Sequence, residues 1–409
     1  MPTPRLVVIG CGFPQLGLLQ FCSGLDVDVI GVDMDPGAIG RAYCDEFLEL
    51  STTDAEGIAE AARSLGVDGV TTGGSEHALM GAAAVCETLG LPFYTTPERV
   101  QLAHSKAAMR QALTEAGVPC PAYAVVEQQE QVEEFADSHG LPVVLKPTIG
   151  WGQRGVSVVA GVEEIPAAFH AARTTSRDLG DVSEVVVEEF ARGKEYSVNA
   201  FTHDGQTRVF AVAERTITEY PAPHGISLEE LAPPDLNEAQ TAELVDATRR
   251  GIDALGIELG PSYSQVIYGP DGPQIIEIAH RTGGGFDPDI AELASGVSTH
   301  RKLVGIALER PAWLEDEADG QAHGAVIGKF LVAEPGRLVE VHGLDQARAL
   351  EGVVDARVYC EPGDIVDPLA DGSKRAGHIL AVGESREEAR RRAHAAAELI
   401  TFEVRDLVD

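Results

Sequence analysis

The run QIIEIAHRTGGGFD, Gln274 to Asp287, puts one acid, Glu277, on an otherwise apolar strand and follows it with Arg281 and the glycines Gly283 to Gly285. A carboxylate on such a strand must be paired, hydrogen-bonded or metal-bound, because an unpaired buried charge costs several kcal/mol, roughly 5. PSYSQVIYG and PQIIEIA flank the turn PDG as a hairpin, so Gln265 and Glu277 on its two strands can meet across one face. Two oxygen donors of this kind suit magnesium, which keeps several waters and shares phosphate oxygens with the protein. Arg281 then stands where a guanidinium can clamp a phosphoryl or carboxylate group with two hydrogen bonds. The glycines allow close backbone approach, which makes Gly284 a candidate for contact with substrate.

A second stretch, VVLKPTIGWGQRGVSVV, supplies cationic character. Lys146 ends a strand, and the loop with Gly152 and Gly155 offers backbone N–H groups that can close over anionic oxygens. The GxxxxGK[ST] phosphate loop is absent, and Trp151 is available to stack on a ligand or to serve as a hinge aromatic. In EVVVEEFARGKEYSV a strand breaks at a bend and re-forms. Such a bend can present backbone groups to an adenine edge, with Glu195 placed for ribose hydroxyls. The bland alternative for Glu188, Glu189 and Glu195 is an acidic strand end facing solvent. Arg215, on VFAVAERTIT, is a candidate for a substrate carboxylate, or else a surface strand arginine.

Several elements must hold these residues in place. From Arg5, RLVVIG, CGFPQLG, LLQFCSG and DVDVIGVDMD repeat the strand, glycine turn, helix, strand pattern of a parallel sheet, continued through AEGIAEAARSLG, VDGVTTGG, EHALMGAAAVCETLG and LPFYTT. Residues 1–103 are therefore expected to form a doubly wound α/β domain. Gly10, Gly12 and Gly17, with Asp33 at the next strand end, approach a dinucleotide fingerprint, but Gln15 stands where GxGxxG needs glycine. Residues 104–122 read as a linker helix closed by Gly117. Residues 123–190 read as a small β/α unit, 191–310 as a strand-rich unit with one long helix, and 311–409 as a C-terminal α+β domain.

At 409 residues and 44% hydrophobic content the chain is long enough for two to four domains. A net charge of -34 argues against nucleic acid and anionic membrane as partners. Its six cysteines form no CxxC pair or Cys/His cluster, so neither zinc nor a disulfide framework is expected. No leader-like segment precedes RLVVIG and no run of about 18 apolar residues occurs, so a cytoplasmic location is expected.

Taken in order over residues 1 to about 310, these motifs resemble the ATP-grasp superfamily with its Rossmann-like preceding domain. The resemblance implies a two-lobed nucleotide-binding fold, with lid at 123–190 and catalytic subdomain at 191–310. It matches Lys106 of SKAAMR and Lys146 of VVLKP to the nucleotide-binding lysines, and GWGQRG, with Gly152 and Gly155, to the phosphate lid loop. It also implies Glu188, Glu189 and Ala191 around the base, Glu195 at the ribose, and Gln265 and Glu277 at the metal. Arg281 corresponds to the arginine of the ExNPR motif, which reads EIAHR here. Ala279 thus stands where an asparagine often completes a second magnesium site, and His280, a candidate substrate contact or a structural imidazole, replaces proline. The tail GHILAVGESREEARRRAHAAAELI is similar to that of biotin carboxylase-like and L-amino acid ligase members.

The activity this implies is an ATP- and magnesium-dependent (manganese as alternative) carboxylate-amine ligase working through an acyl phosphate. Its expected partners are small molecules, an amino acid or other carboxylate and an amine, with a homodimer left open. Two other readings stay open: a carboxyphosphate or formyl-phosphate enzyme of the biotin carboxylase or purine-synthesis type, and a nucleotide-binding protein without catalysis.

Overall fold

Three sheets of different character build most of the chain in the computed structural model, which describes residues 2–150, 154–180, 183–218, 225–315 and 320–406. The first is parallel. Its strands run in the order Glu46–Glu49, Asp28–Asp33, Arg5–Ile9, Gly69–Thr71. Side chains of one strand alternate between faces, and both faces here are covered. Val7 and Ile9 pack with Ile58, Ala62 and Ala82 of the helices Ala55–Leu65 and Glu76–Leu89. Leu6 and Val8 pack with Leu18 and Leu19 of Leu16–Ser23, and also with Val304 and Ala307. That last pair belongs to Thr299–Ala307, so the second face of the N-terminal sheet is completed by a helix from far along the chain.

LPFYTT is no strand: residues 91–96 leave the sheet at Gly69–Thr71. Pro92 has no N–H for a ladder, and Phe93 and Tyr94 are used instead against a core that includes Phe201 and Ile290.

The second sheet, four antiparallel strands in the order Tyr123–Val126, Val185–Glu189, Val143–Pro147, Ser157–Val159, lies wholly within the stretch 123–190. Val143 and Leu145 face the helices Gln129–His139 and Ile165–Gly180. Alternation therefore turns Val144 and Lys146 to the opposite face, where they border a cleft.

The third sheet has eight antiparallel strands: Gly272–Ala279, Gly260–Gly269, Lys194–His203, Gln206–Ile217, Ser227–Ala232, Ala325–Leu331, Gly377–Gly383, Val353–Val358. It runs straight across residue 311. Three of its strands come from the tail, joined where Leu231 pairs with Ile327, and only the small sheet Ile365–Val366, Gly336–His342, Thr401–Arg405 is the tail's own. The joining strand, Ser227–Ala232, is absent from the sequence reading because Glu229 and Glu230 interrupt its apolar pattern. In the fold both acids are paired, Glu229 with Lys329 at 2.7 Å and Glu230 with Arg215 at 3.3 Å.

Candidate active site

The hairpin carries Gln265 and Glu277 as direct partners in register. Both line the cleft between the four-stranded and eight-stranded sheets, together with Lys106, Lys146, Gly150, Arg154, Glu188, Glu189, Ala191 and Glu195. Residues far apart in sequence, from Lys106 to Glu277, are thus gathered by two sheets facing each other. Among the described residues, the Glu277 carboxylate has neither a hydrogen-bond nor an ion-pair partner, although it sits half-buried on an apolar strand. Two hard oxygen donors, one of them an anion with no direct partner, fit magnesium. Ala279, opposite Tyr263, offers no further donor.

Lys106 opens the helix Lys106–Glu115, capped by the Ser105 side chain, and its Nζ donates to the Gly150 carbonyl at 2.6 Å. This ties the helix to the start of the loop whose Trp151 and Gly152 lie outside the described residues. Gly155 has φ +71, and a Cβ there would stand 2.6 Å from Thr175 Oγ1, so the position demands glycine.

The Lys146 ammonium lies 2.6 Å from Glu188, whose other oxygen accepts from Arg110 Nε at 2.8 Å. Arg110 is fully buried and also donates to the carbonyls of Ile275 and Ile276, both at 2.8 Å. One guanidinium thereby locks the helix Lys106–Glu115, the strand Val185–Glu189 and the Glu277 strand together. Glu188 is not a solvent-facing acid: it is 2% exposed and serves as the counter-ion of Lys146 rather than presenting its carboxylate to a base. Burial would raise its carboxyl, and the charges of Arg110 and Lys146 reverse this, holding it at about 2. Lys146 is pushed below the usual lysine range, chiefly by burial, with Arg110 adding to the effect.

Two expectations follow. Arg110→Met should cost about 3 to 5 kcal/mol by urea denaturation at neutral pH, because it removes one of the two cations that hold a buried carboxylate and the donor shared by the Ile275 and Ile276 carbonyls. The pH dependence has a definite sign: with the folded-state value at about 2, below the ordinary 4.5, the stability from Glu188 is complete above the ordinary value. It is lost as pH falls toward about 2. Over that window the gap in unfolding free energy between wild type and Glu188→Gln should shrink; a gap that is constant with pH contradicts the assignment.

Other candidates sit differently. Arg281 does not border the cleft as a free clamp: its Nε donates to Glu76 at 2.6 Å and one Nη to the Thr282 carbonyl at 2.9 Å. Glu76 opens the helix Glu76–Leu89, so the N-terminal domain positions this arginine. Burial acts to raise the Glu76 carboxyl, but Arg281 and His104 bring it below the usual range. Arg215 is buried and held by Glu195 and Glu230, which leaves it spoken for as a substrate clamp and occupies the Glu195 carboxylate as well. His280 contacts the Leu259 carbonyl at 2.8 Å and packs edge-on to Tyr94; burial lowers it to about 4, so it is a neutral packing residue. Gly284 is exposed in the turn after Arg281.

At the N-terminal glycine turn, the Cys11 N–H donates to Asp33 at 2.9 Å, and Gln15 reaches Gly73 O at 2.6 Å. A Cβ on Gly10 would stand 2.8 Å from the Gln15 side chain. Gln15 thus occupies the space over the turn, and Asp33 is spent on its own backbone. Neither arrangement favours a dinucleotide there.

Glu76 and Arg110 escaped the sequence reading. The signal existed, since Ser75-Glu76 is a helix start and Arg110 lies one helical turn beyond Lys106, but their partners are 205 and 78 residues away.

Comparison with known proteins sets this geometry in a family. Residues 139–289 match the ATP-grasp domain and residues 329–405 the L-amino acid ligase C-terminal domain 2. An uncharacterised protein, y4rH, of Sinorhizobium fredii is 30% identical over 370 residues, covering 89% of this chain and 75% of that protein. Dapdiamide A synthase of Enterobacter agglomerans is 26% identical, covering 76% and 74% respectively. The crystal structure of an L-amino acid ligase from Bacillus licheniformis superposes with a TM-score of 0.82 at 19% identity, covering 99% of each chain.

Proposed function

This chain belongs to the ATP-grasp superfamily, as a ligase that forms carbon–nitrogen bonds, and from that premise we propose that it joins an amino acid carboxylate to an amine, giving an amide or dipeptide. Enzymes of this family use ATP and magnesium. The observation that carries the reading is the unpartnered Glu277 beside Gln265 in a cleft whose other wall presents Lys106 and Lys146.

In this reading a substrate carboxylate oxygen attacks the γ-phosphorus of ATP, forming an acyl phosphate and expelling ADP. The amine nitrogen then attacks the acyl carbon, phosphate leaves, and the nitrogen gives up a proton. Phosphoryl transfer asks chiefly for positioning and charge neutralisation. Magnesium, when bound, spreads the charge developing on the phosphate oxygens. Gln265 and Glu277 would hold it, and Ala279 would contribute no ligand. Lys146, aligned by Glu188 and Arg110, and Lys106, tethered to Gly150, bring cationic charge to the nucleotide phosphates. The lid sheet excludes water that would hydrolyse the acyl phosphate.

The test is ADP release from magnesium ATP across amino acids and amines, singly and in pairs, with mass spectrometry of each active mixture. Release that requires a pair and yields the condensed mass is the expected result. Release with bicarbonate or formate alone, or none with any pair, would overturn the reading.

A further inference from the structure

Among the described residues, the guanidinium of Arg375 is left without a counter-ion. Arg375 precedes the strand Gly377–Gly383, and its guanidinium carbon lies 3.6 Å from the centre of the Phe330 ring. Phe330 stacks on Phe286 at 4.4 Å, and Phe286 directly follows the glycine turn after Arg281. A Cβ on Gly285 would come within 3.8 Å of the same Phe330 ring, so the aromatic platform abuts that turn. The Arg375 Nε is buried with no hydrogen-bond partner, and among the described residues no carboxylate lies within ion-pair distance of the group. Arg110, Arg215 and Arg281, by contrast, each hold an acid. The titratable groups with most influence on Arg375 are Glu230 and Arg215, then Tyr359 and Tyr263, and Glu230 is already engaged by Arg215 and Ser227. Burial lowers the guanidinium to about 10, which leaves it charged at neutral pH.

A buried donor without an acceptor costs about 1 to 3 kcal/mol, and stacking on Phe330 recovers only part of it. A planar fork held flat on an aromatic ring is shaped to take two oxygens of one anion. We propose that Arg375 is a specificity-determining residue that binds an anionic group, carboxylate or phosphate ester, on a substrate at a position other than the reacting carboxyl. The inference rests on the ligase reading above and narrows it to substrates that carry a second anion. Three sources share this chemistry: the α-carboxylate of the amino acid that supplies the amine, a side-chain carboxylate, and a phosphorylated side chain.

The test compares anionic compounds with neutral isosteres in ADP release: glutamate with glutamine, aspartate with asparagine, O-phosphoserine with serine, and amino acids with their amides. Wild type is set beside Arg375→Met, which keeps the apolar stack on Phe330. Wild type should favour the anionic member of at least one pair by about 10-fold or more in kcat/KM, and in Arg375→Met that ratio should fall to about one. The pair that responds identifies the source of the anion. A ratio unchanged by the substitution, including equal losses for both members, places Arg375 on the nucleotide or in the packing and overturns the proposal; so does the absence of any anionic preference in wild type. Should wild type release no ADP with any pair, the ligase reading fails, and the inference is judged by melting temperature with the same compounds. Protection by an anion over its isostere, lost in Arg375→Met, upholds it; the same shifts in both proteins, or no protection in either, overturn it.

Discussion

Glu277→Ala should abolish magnesium-dependent ADP release, lowering it by at least about 10²- to 10³-fold, while leaving the fold intact. The two halves of this expectation have separate causes. The carboxylate is the anionic member of the oxygen pair formed with Gln265 in register, so its loss leaves one neutral donor to hold a dication. No ion pair or hydrogen bond of the folded chain depends on it among the described residues, and it stands on a strand whose neighbours Ile275 and Ile278 are fully buried. Removing a charge that makes no direct ion pair or hydrogen bond costs little and can stabilise. In calorimetry without magnesium the variant should melt no lower than wild type, and the upward shift that magnesium gives wild type should disappear. Near-normal turnover in Glu277→Ala would show that the metal is held elsewhere.

Arg281→Ala should lower kcat/KM by roughly 2 to 4 kcal/mol of transition-state stabilisation. Here the structure complicates the measurement in a predictable way. Arg281 is buried against Glu76 and balances its charge, so truncation also strands an acid and lowers stability. The pair Glu76→Gln with Arg281→Ala separates the effects. The double variant should recover much of the stability, because no buried charge is left alone, yet remain as inactive as Arg281→Ala. Recovery of activity along with stability would make Arg281 an anchor between the N-terminal domain and the site rather than a group that meets substrate.

Parts of this site are legible along the chain for a simple reason. Gln265 and Glu277 belong to one hairpin, where a two-residue period and a short turn dictate which side chains meet. Lys146 and Gly155 are likewise local features of strand and loop. What escapes is long-range charge pairing. Nothing near Glu188 announces that its carboxylate turns inward to Lys146 and Arg110, or that Arg215 is consumed by Glu195 and Glu230, because each partner arrives from another element. The same blindness hides the strand Ser227–Ala232, whose acids look like a break in an apolar pattern until Lys329 and Arg215 are placed beside them. It also turns residues 91–96 from an expected strand into a packed segment, since Phe93 and Tyr94 find their core in a sheet that begins a hundred residues later.

The account turns on one covalent event, transfer of the γ-phosphoryl group to a substrate carboxylate. Its most direct test uses a substrate whose carboxylate carries two ¹⁸O atoms, with magnesium ATP and an amine, followed by mass spectrometry of the released phosphate and of the product. One ¹⁸O in phosphate and one retained in the amide is the predicted result, since the acyl phosphate breaks at the acyl carbon when the amine attacks. Phosphate free of label, or label found in AMP, would contradict it.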